Sequence, residues 1–177
     1  MGIPTKHEPV KLIIGLIARE DLFDKIEKIL SRKFGTVDFK SEILDFKFTD
    51  YYEQEMGTDL KRRFLSFKRN IVPRDLSRIK LYTNRIEKKF SKSNGLRKVN
   101  IDPGYLTLSK LVLATTKDYQ HRLYLDKGIY AEVTLRFKAK SFTIWEWTYP
   151  DYRTPAYINI FNHIRNNLLS KGKCKNA

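Results

Sequence analysis

The stretch that decides the fold is Leu12-Ile13-Ile14-Gly15-Leu16-Ile17-Ala18. It is apolar without alternation, as expected of a strand covered on both faces. Seven residues are too few to span a bilayer, and Arg19-Glu20-Asp21 closes the run, so it reads as neither signal peptide nor membrane helix. Asp21 is placed to cap a helix whose apolar stripe is Leu22, Phe23, Ile26, Ile29, Leu30 and Phe34, with Gly35 at its end.

Working outward, residues 36–48 read as strand, with Val37, Phe39, Ile43, Phe46 and Phe48 set among polar residues. Residues 50–57 form an acidic connection, and Arg63 to Ile71 reads as a third strand. Pro73 suits the first turn of a helix with Leu76, Ile79, Thr83, Ile86 and Phe90 on one stripe, ended by Ser93-Asn94-Gly95. Val99 to Asp102 is a short strand. The order strand, helix, strand, strand, helix, strand predicts an α+β fold: a ferredoxin-like split unit, with an antiparallel sheet backed by two helices.

The remainder extends that unit. Leu108, Leu111, Val112 and Thr115 fit a short helix, with a strand as the alternative. A hairpin is expected from His121–Leu125 and Ile129–Phe137 around Asp126-Lys127-Gly128, then a strand over Phe142–Trp147. A last helix starts at Thr154-Pro155 and ends at Gly172. The expected organisation is a flexible lead over 1–10, a single domain over 11–170 and a basic tail over 171–177, since no repeat or linker divides the chain.

The chain has 177 residues, of which 41% are hydrophobic, so a packed core is available and wholesale disorder is not expected. The single cysteine, Cys174, excludes an internal disulfide and a cysteine-rich zinc site, and cytoplasm is the expected location. The formal net charge is +15 and uneven. Residues 61–98 hold 14 Lys/Arg against Asp75 and Glu87, or +12, while residues 41–57 hold five acidic side chains against Lys47, or −4. A basic middle beside an acidic loop points to an anionic partner.

The eight glycines lie at least nine residues apart, so neither a Walker-type phosphate loop nor a dinucleotide glycine fingerprint can be written. Chemistry instead concentrates between Asn100 and Arg122. Asp102-Pro103-Gly104-Tyr105 reads as a type II turn holding a carboxylate at a strand end. Thr115-Thr116-Lys117-Asp118 with His121 and Arg122 can surround a phosphate or carboxylate, and equally reads as an exposed connection with local salt bridges. Alternation along Ile129–Leu135 puts Tyr130, Glu132 and Thr134 on one face, opposite Arg122 on the paired strand. The carboxylates of Asp50, Glu53 and Glu55 are dense enough to hold a hard cation such as magnesium. The aromatic loop Trp147-Thr148-Tyr149-Pro150-Asp151-Tyr152-Arg153 can wall a pocket or simply pack on the core.

Several strings together carry a family resemblance: Thr49-Asp50-Tyr51-Tyr52 with Glu55-Met56-Gly57, Asn100 through Tyr105, Leu113 through Asp118, Gly128 through Glu132, and Trp147 through Tyr152. With them the chain resembles the bacterial domain-of-unknown-function 4416 family over most of its length. Members of that family are sometimes labelled GTP-binding proteins, yet this sequence has no phosphate loop and no Asn-Lys-x-Asp motif. The resemblance implies that these strings belong together and converge on one site.

The expected function is therefore binding of an anionic, nucleotide- or phosphate-like small ligand in a polar pocket, with a divalent metal such as magnesium as a candidate cofactor. Lys110, Thr116, Lys117, Arg122, Tyr130 and Tyr149 are the candidate ligand contacts. His121, Asp102 and Glu132 are the candidate acid/base groups, and Asp50, Glu55 and Asp102 the candidate metal ligands. The rival readings are a nucleic-acid (RNA) binding module using residues 61–98, and an interaction domain without a ligand.

Overall fold

The computed structural model describes residues 2–173, with all their side chains except those of Asp50 and residues 171–173. The basic tail expected over 171–177 therefore lies outside the described side chains. Residues 2–9 are exposed and carry no regular structure. Nine strands form one antiparallel sheet: β1 (Lys11–Ala18), β2 (Val37–Lys40), β3 (Leu44–Asp45), β4 (Lys61–Phe67), β5 (Val99–Leu106), β6 (Lys110–Thr115), β7 (Leu123–Asp126), β8 (Ile129–Lys138) and β9 (Ser141–Ile144). The helices are α1 (Phe23–Phe34), α2 (Glu53–Met56), α3 (Leu76–Lys89) and α4 (Pro155–Lys173).

The strands run in the order β2-β4-β1-β5-β6-β8-β7, with β3 on β4 and β9 on β8. The β1–α1–β2 unit thus straddles β4, and β4–α3–β5 straddles β1, which is the split arrangement expected from the element order. Every residue of β1 is buried. Leu12, Ile14 and Leu16 pack with Ile26 and Leu30 of α1 and Ile79 and Ile86 of α3. On the opposite face, Ile13 joins Tyr157, Phe161 and Ile164 of α4. Helices on both faces explain why the run shows no alternation.

Two expectations between residues 100 and 116 are corrected. The segment from Lys110 is a strand, because Leu111 and Leu113 face α4 while Val112 and Ala114 face α3. Two covered faces mimic helical spacing in an apolar run. Asp102-Pro103-Gly104-Tyr105 is no turn but the middle of β5, paired throughout with β1.

Gly104 serves close approach instead: a Cβ there would sit 2.3 Å from the Val112 carbonyl oxygen. Pairing of β5 with β6 covers only Gly104–Leu113, Tyr105–Val112 and Leu106–Leu111. Pro103 has no N–H to continue the ladder, and the two strands part beyond it.

Smaller differences are local. The strand expected over 36–48 is two short strands, and the one expected to reach Trp147 stops at Ile144. Asp21 makes no capping bond, because a 3-10 turn at Glu20–Leu22 precedes α1. The last helix runs past Gly172 to Lys173. A register shift opposite Leu111/Val112 turns Leu135 away from Ile129, Ala131 and Val133 and onto the α4 side. Among the described residues no helix is long and apolar enough to cross a membrane.

Candidate functional site

Where β5 and β6 separate, the sheet would be left with unpaired main chain. Two side chains of α3 fill that role. Glu87 Oε1 accepts the Ile101 N–H at 2.6 Å, and Lys80 Nζ donates to the Ile101 carbonyl at 2.9 Å. Both side chains are buried. Burial raises the Glu87 pKa, with the Lys80 charge opposing. The opening so held is a cavity of about 720 Å³.

The floor centres on Asp102. Asn100 Nδ2 donates to its Oδ2 at 2.7 Å, Arg62 Nη1 lies 3.5 Å away, and Lys80 Nζ lies 3.6 Å from Oδ1. Asp102 is a quarter exposed, and its Oδ1 accepts no other hydrogen bond among the described residues. Arg62 is nearly sealed, donates to Asp151, and lies within 5.3 to 5.8 Å of the rings of Phe46, Phe64, Tyr152 and Tyr157. Gly15 makes this possible, since a Cβ there would lie 3.0 Å from Arg62 Nη1 and 3.1 Å from the Phe64 ring.

A second wall comes from β8. Glu132 is 2% exposed and gathers four donors: Arg122 Nε at 2.9 Å, Thr134 Oγ1 at 3.2 Å, and His121 Nε2 and Tyr149 Oη at 3.3 Å. Arg122 also donates to Tyr149 Oη at 2.6 Å and to the Lys117 carbonyl at 3.0 Å. Burial, then the Glu132 charge, pushes the Tyr149 phenol well above its ordinary range. His121 stacks on Trp147, which stacks on Trp145.

The mouth carries Phe48, Thr49, Tyr51, Thr116 and Lys117. Lys117 Nζ donates to Tyr51 Oη at 3.1 Å and lies 4.7 Å from that ring's centre. Among the described residues Lys117 has no carboxylate partner, unlike Arg62, Arg97 and Arg122.

Of the residues singled out from sequence, Asp102, Thr116, Lys117, Arg122, Glu132 and Tyr149 line this one cavity. His121 stands behind Glu132 rather than in the lining. Lys110 is at the far end of β6 opposite Arg136, and Tyr130 packs on Tyr124 beside β7, so neither reaches it. Glu55 is turned to Arg97, which donates to both its carboxylate oxygens at 2.8 and 2.7 Å. That bonding holds the Glu55 pKa below the usual carboxylate value. The side chain of Asp50 lies outside the described residues.

Of the carboxylates expected to hold magnesium, the two described ones, Glu55 and Asp102, do not come together. Glu55 is spent on Arg97 and Asp102 is ringed by donors, and among the described residues no group of three metal-ligating side chains comes together.

Sequence reasoning did not assign Arg62, Asn84, Glu87, Arg97 or Asn100 to the site, although all line it. The available signals were the polar stripe that Lys80, Asn84 and Glu87 share on α3 and the place of Asn100 at the head of the string over 100–105.

A family model described as "Domain of unknown function (DUF4416)" matches residues 8–168. No curated protein and no solved structure matches the chain.

Proposed function

The chain belongs to the domain-of-unknown-function 4416 family, and from that premise we propose that it binds a small polar ligand with an anionic group, of nucleotide or sugar-phosphate size, in the cavity between β5 and β6. The observation that carries the reading is convergence: Asp102, Lys117, Glu132 and Tyr149, from four separate strings, line one space of about 720 Å³ together with Arg122. That volume lies in the range of small-molecule sites.

Division of labour follows from the contacts. Among the described residues Lys117 is the lining cation without a carboxylate, and it takes the anionic group at the mouth. Tyr51 and Phe48, both exposed there, offer faces to a planar ring. Asp102 Oδ1 accepts a donor from the ligand at the floor and is the acid/base candidate that a ligand can touch. Glu132, enclosed by donors, positions Arg122 and Tyr149 rather than meeting the ligand through a free oxygen. A divalent ion such as magnesium would arrive with the ligand's own phosphates at the mouth rather than be caged by the described carboxylates. The expected setting is the cytoplasm.

The test is calorimetric titration of the full chain with nucleoside mono-, di- and triphosphates and sugar phosphates, with and without magnesium. Loss of a charge-assisted bond costs at least about 1.5 kcal/mol, so Lys117→Ala should weaken the binding compound about tenfold or more. Absence of binding by every compound at millimolar concentration would overturn the proposal.

A further inference from the structure

A second, shallower groove lies between α1, α3 and the β7–β8 turn, along residues of α3 that do not line the first cavity. It is about 480 Å³ and is lined by Lys33, Arg78, Arg85 and Lys127, with Asp75 as its one carboxylate. Arg78, Arg85, Lys88 and Lys89 are exposed along α3. At about 100° per residue they fall within an arc of about 100° on the side opposite Leu76, Ile79, Thr83 and Ile86.

The pairing pattern sets this face apart. The arginines of the cavity are held by carboxylates, Arg62 by Asp151, Arg97 by Glu55 and Arg122 by Glu132, while Lys117 at its mouth is not. Among the described residues, Lys33, Arg78, Arg85, Lys88, Lys89 and Lys127 make no ion pair, although carboxylates of α1 reach Lys40 and Arg63. A row of unneutralised cations about 16 Å long, from Arg78 to Lys89, concentrates positive potential along one line.

We propose that this α1–α3 face binds the phosphate backbone of a nucleic acid, in a sequence-independent way. The charge pattern favours an extended polyanion, since the cations are strung along an axis rather than gathered round one point. A lipid surface is the competing occupant: β7 beside the turn exposes Leu123, Tyr124 and Leu125, but neither α1 nor α3, which carry five of the six cations, exposes a large apolar side chain to enter a bilayer. The two aromatic rings lining the groove are not free to stack on a base: Phe34 is buried and meets Tyr82 edge to face, and Lys33 lies over the Tyr82 ring.

The experiment is fluorescence anisotropy of the full chain with a labelled single-stranded RNA of mixed sequence, over a salt series, beside sedimentation with vesicles of phosphatidylserine and phosphatidylcholine. The expected result is binding whose log Kd rises with log salt by about 0.7 for each phosphate neutralised. The combined variant Arg78→Gln, Arg85→Gln, Lys88→Gln, Lys89→Gln should raise Kd at least tenfold and flatten that slope, with circular dichroism and Tm unchanged. Lys117→Ala should leave RNA binding unaltered. RNA binding that is independent of salt, unaffected by the four substitutions, or absent while vesicles are captured or not, overturns the proposal. None of these results bears on the cavity, whose ligand is read out separately.

Discussion

Glu87 on α3 accepts the main-chain N–H of Ile101 on β5 at 2.6 Å, a bond that a continuous sheet would make to β6. A helix side chain here does the work of a strand. Lys80, two helical turns earlier, completes the substitution by donating to the Ile101 carbonyl.

Removing Glu87 should therefore cost stability out of proportion to a helix-surface change. Glu87→Ala leaves the buried Ile101 N–H without an acceptor, for an expected loss of about 1–3 kcal/mol in urea denaturation. Glu87→Gln keeps an acceptor and should lose less. Equal losses in the two variants would show that the bond to Ile101 is not what matters.

Gly104→Ala should be more damaging than its size suggests. The added methyl would meet main-chain atoms, the Val112 carbonyl oxygen at 2.3 Å and the Leu113 Cα at 3.3 Å. Neither can rotate away, so a loss of about 1–3 kcal/mol is expected from the shift of β6. A stability within experimental error of the parent would contradict the close approach.

The same residues show what was legible in the sequence. The split unit was readable because α1 and α3 carry apolar stripes at helical spacing and β1 an unbroken apolar run, all of which the core covers. Pro103 and Gly104 carry the strongest local turn signal in the chain, yet they sit in a strand. Proline's missing N–H falls where β6 departs, and glycine supplies room rather than a left-handed φ. Such uses depend on what lies across the sheet, which local chemistry does not report. In the site, Lys117, Arg122, Glu132 and Tyr149 were visible as ionisable or aromatic groups in odd company. Arg62 was not, because only the fold brings four rings and Asp151 around it.

Arg62 and Asp151 should behave as a buried pair. Asp151→Ala strips a nearly sealed guanidinium of its closest carboxylate, with Asp102 left 3.5 Å away. The expected cost is about 3–5 kcal/mol by chemical denaturation, whereas Arg62→Met with Asp151→Leu should restore much of it. A single Asp151→Ala change with no measurable effect would remove the pair from the stability of this face.

Titration of the phenols offers a test without mutation. The chain has 10 tyrosines, and burial raises the pKa of Tyr52, Tyr149 and Tyr152. A folded-state pKa above the unfolded value means stability that is complete below about pH 10 and is lost as pH rises toward the folded value. Ultraviolet difference spectra at pH 11 should show these three still protonated in the folded protein, ionising only as it unfolds. At the acid end, Glu55 has the opposite sign: bonded to Arg97, it contributes stability above about pH 4.5 that is lost as pH falls through its lowered pKa.

The parting of β5 from β6 also fixes how this scaffold can vary. The opening is bounded by side chains rather than by hydrogen-bonded register, while β1–β5 and β6–β8 keep their ladders on either flank. The β5 edge of that opening is capped by a lysine and a glutamate on one helix. Shorter or longer residues at those two positions would change the chamber and leave the sheet's pairing scheme untouched, so its size can vary within one fold.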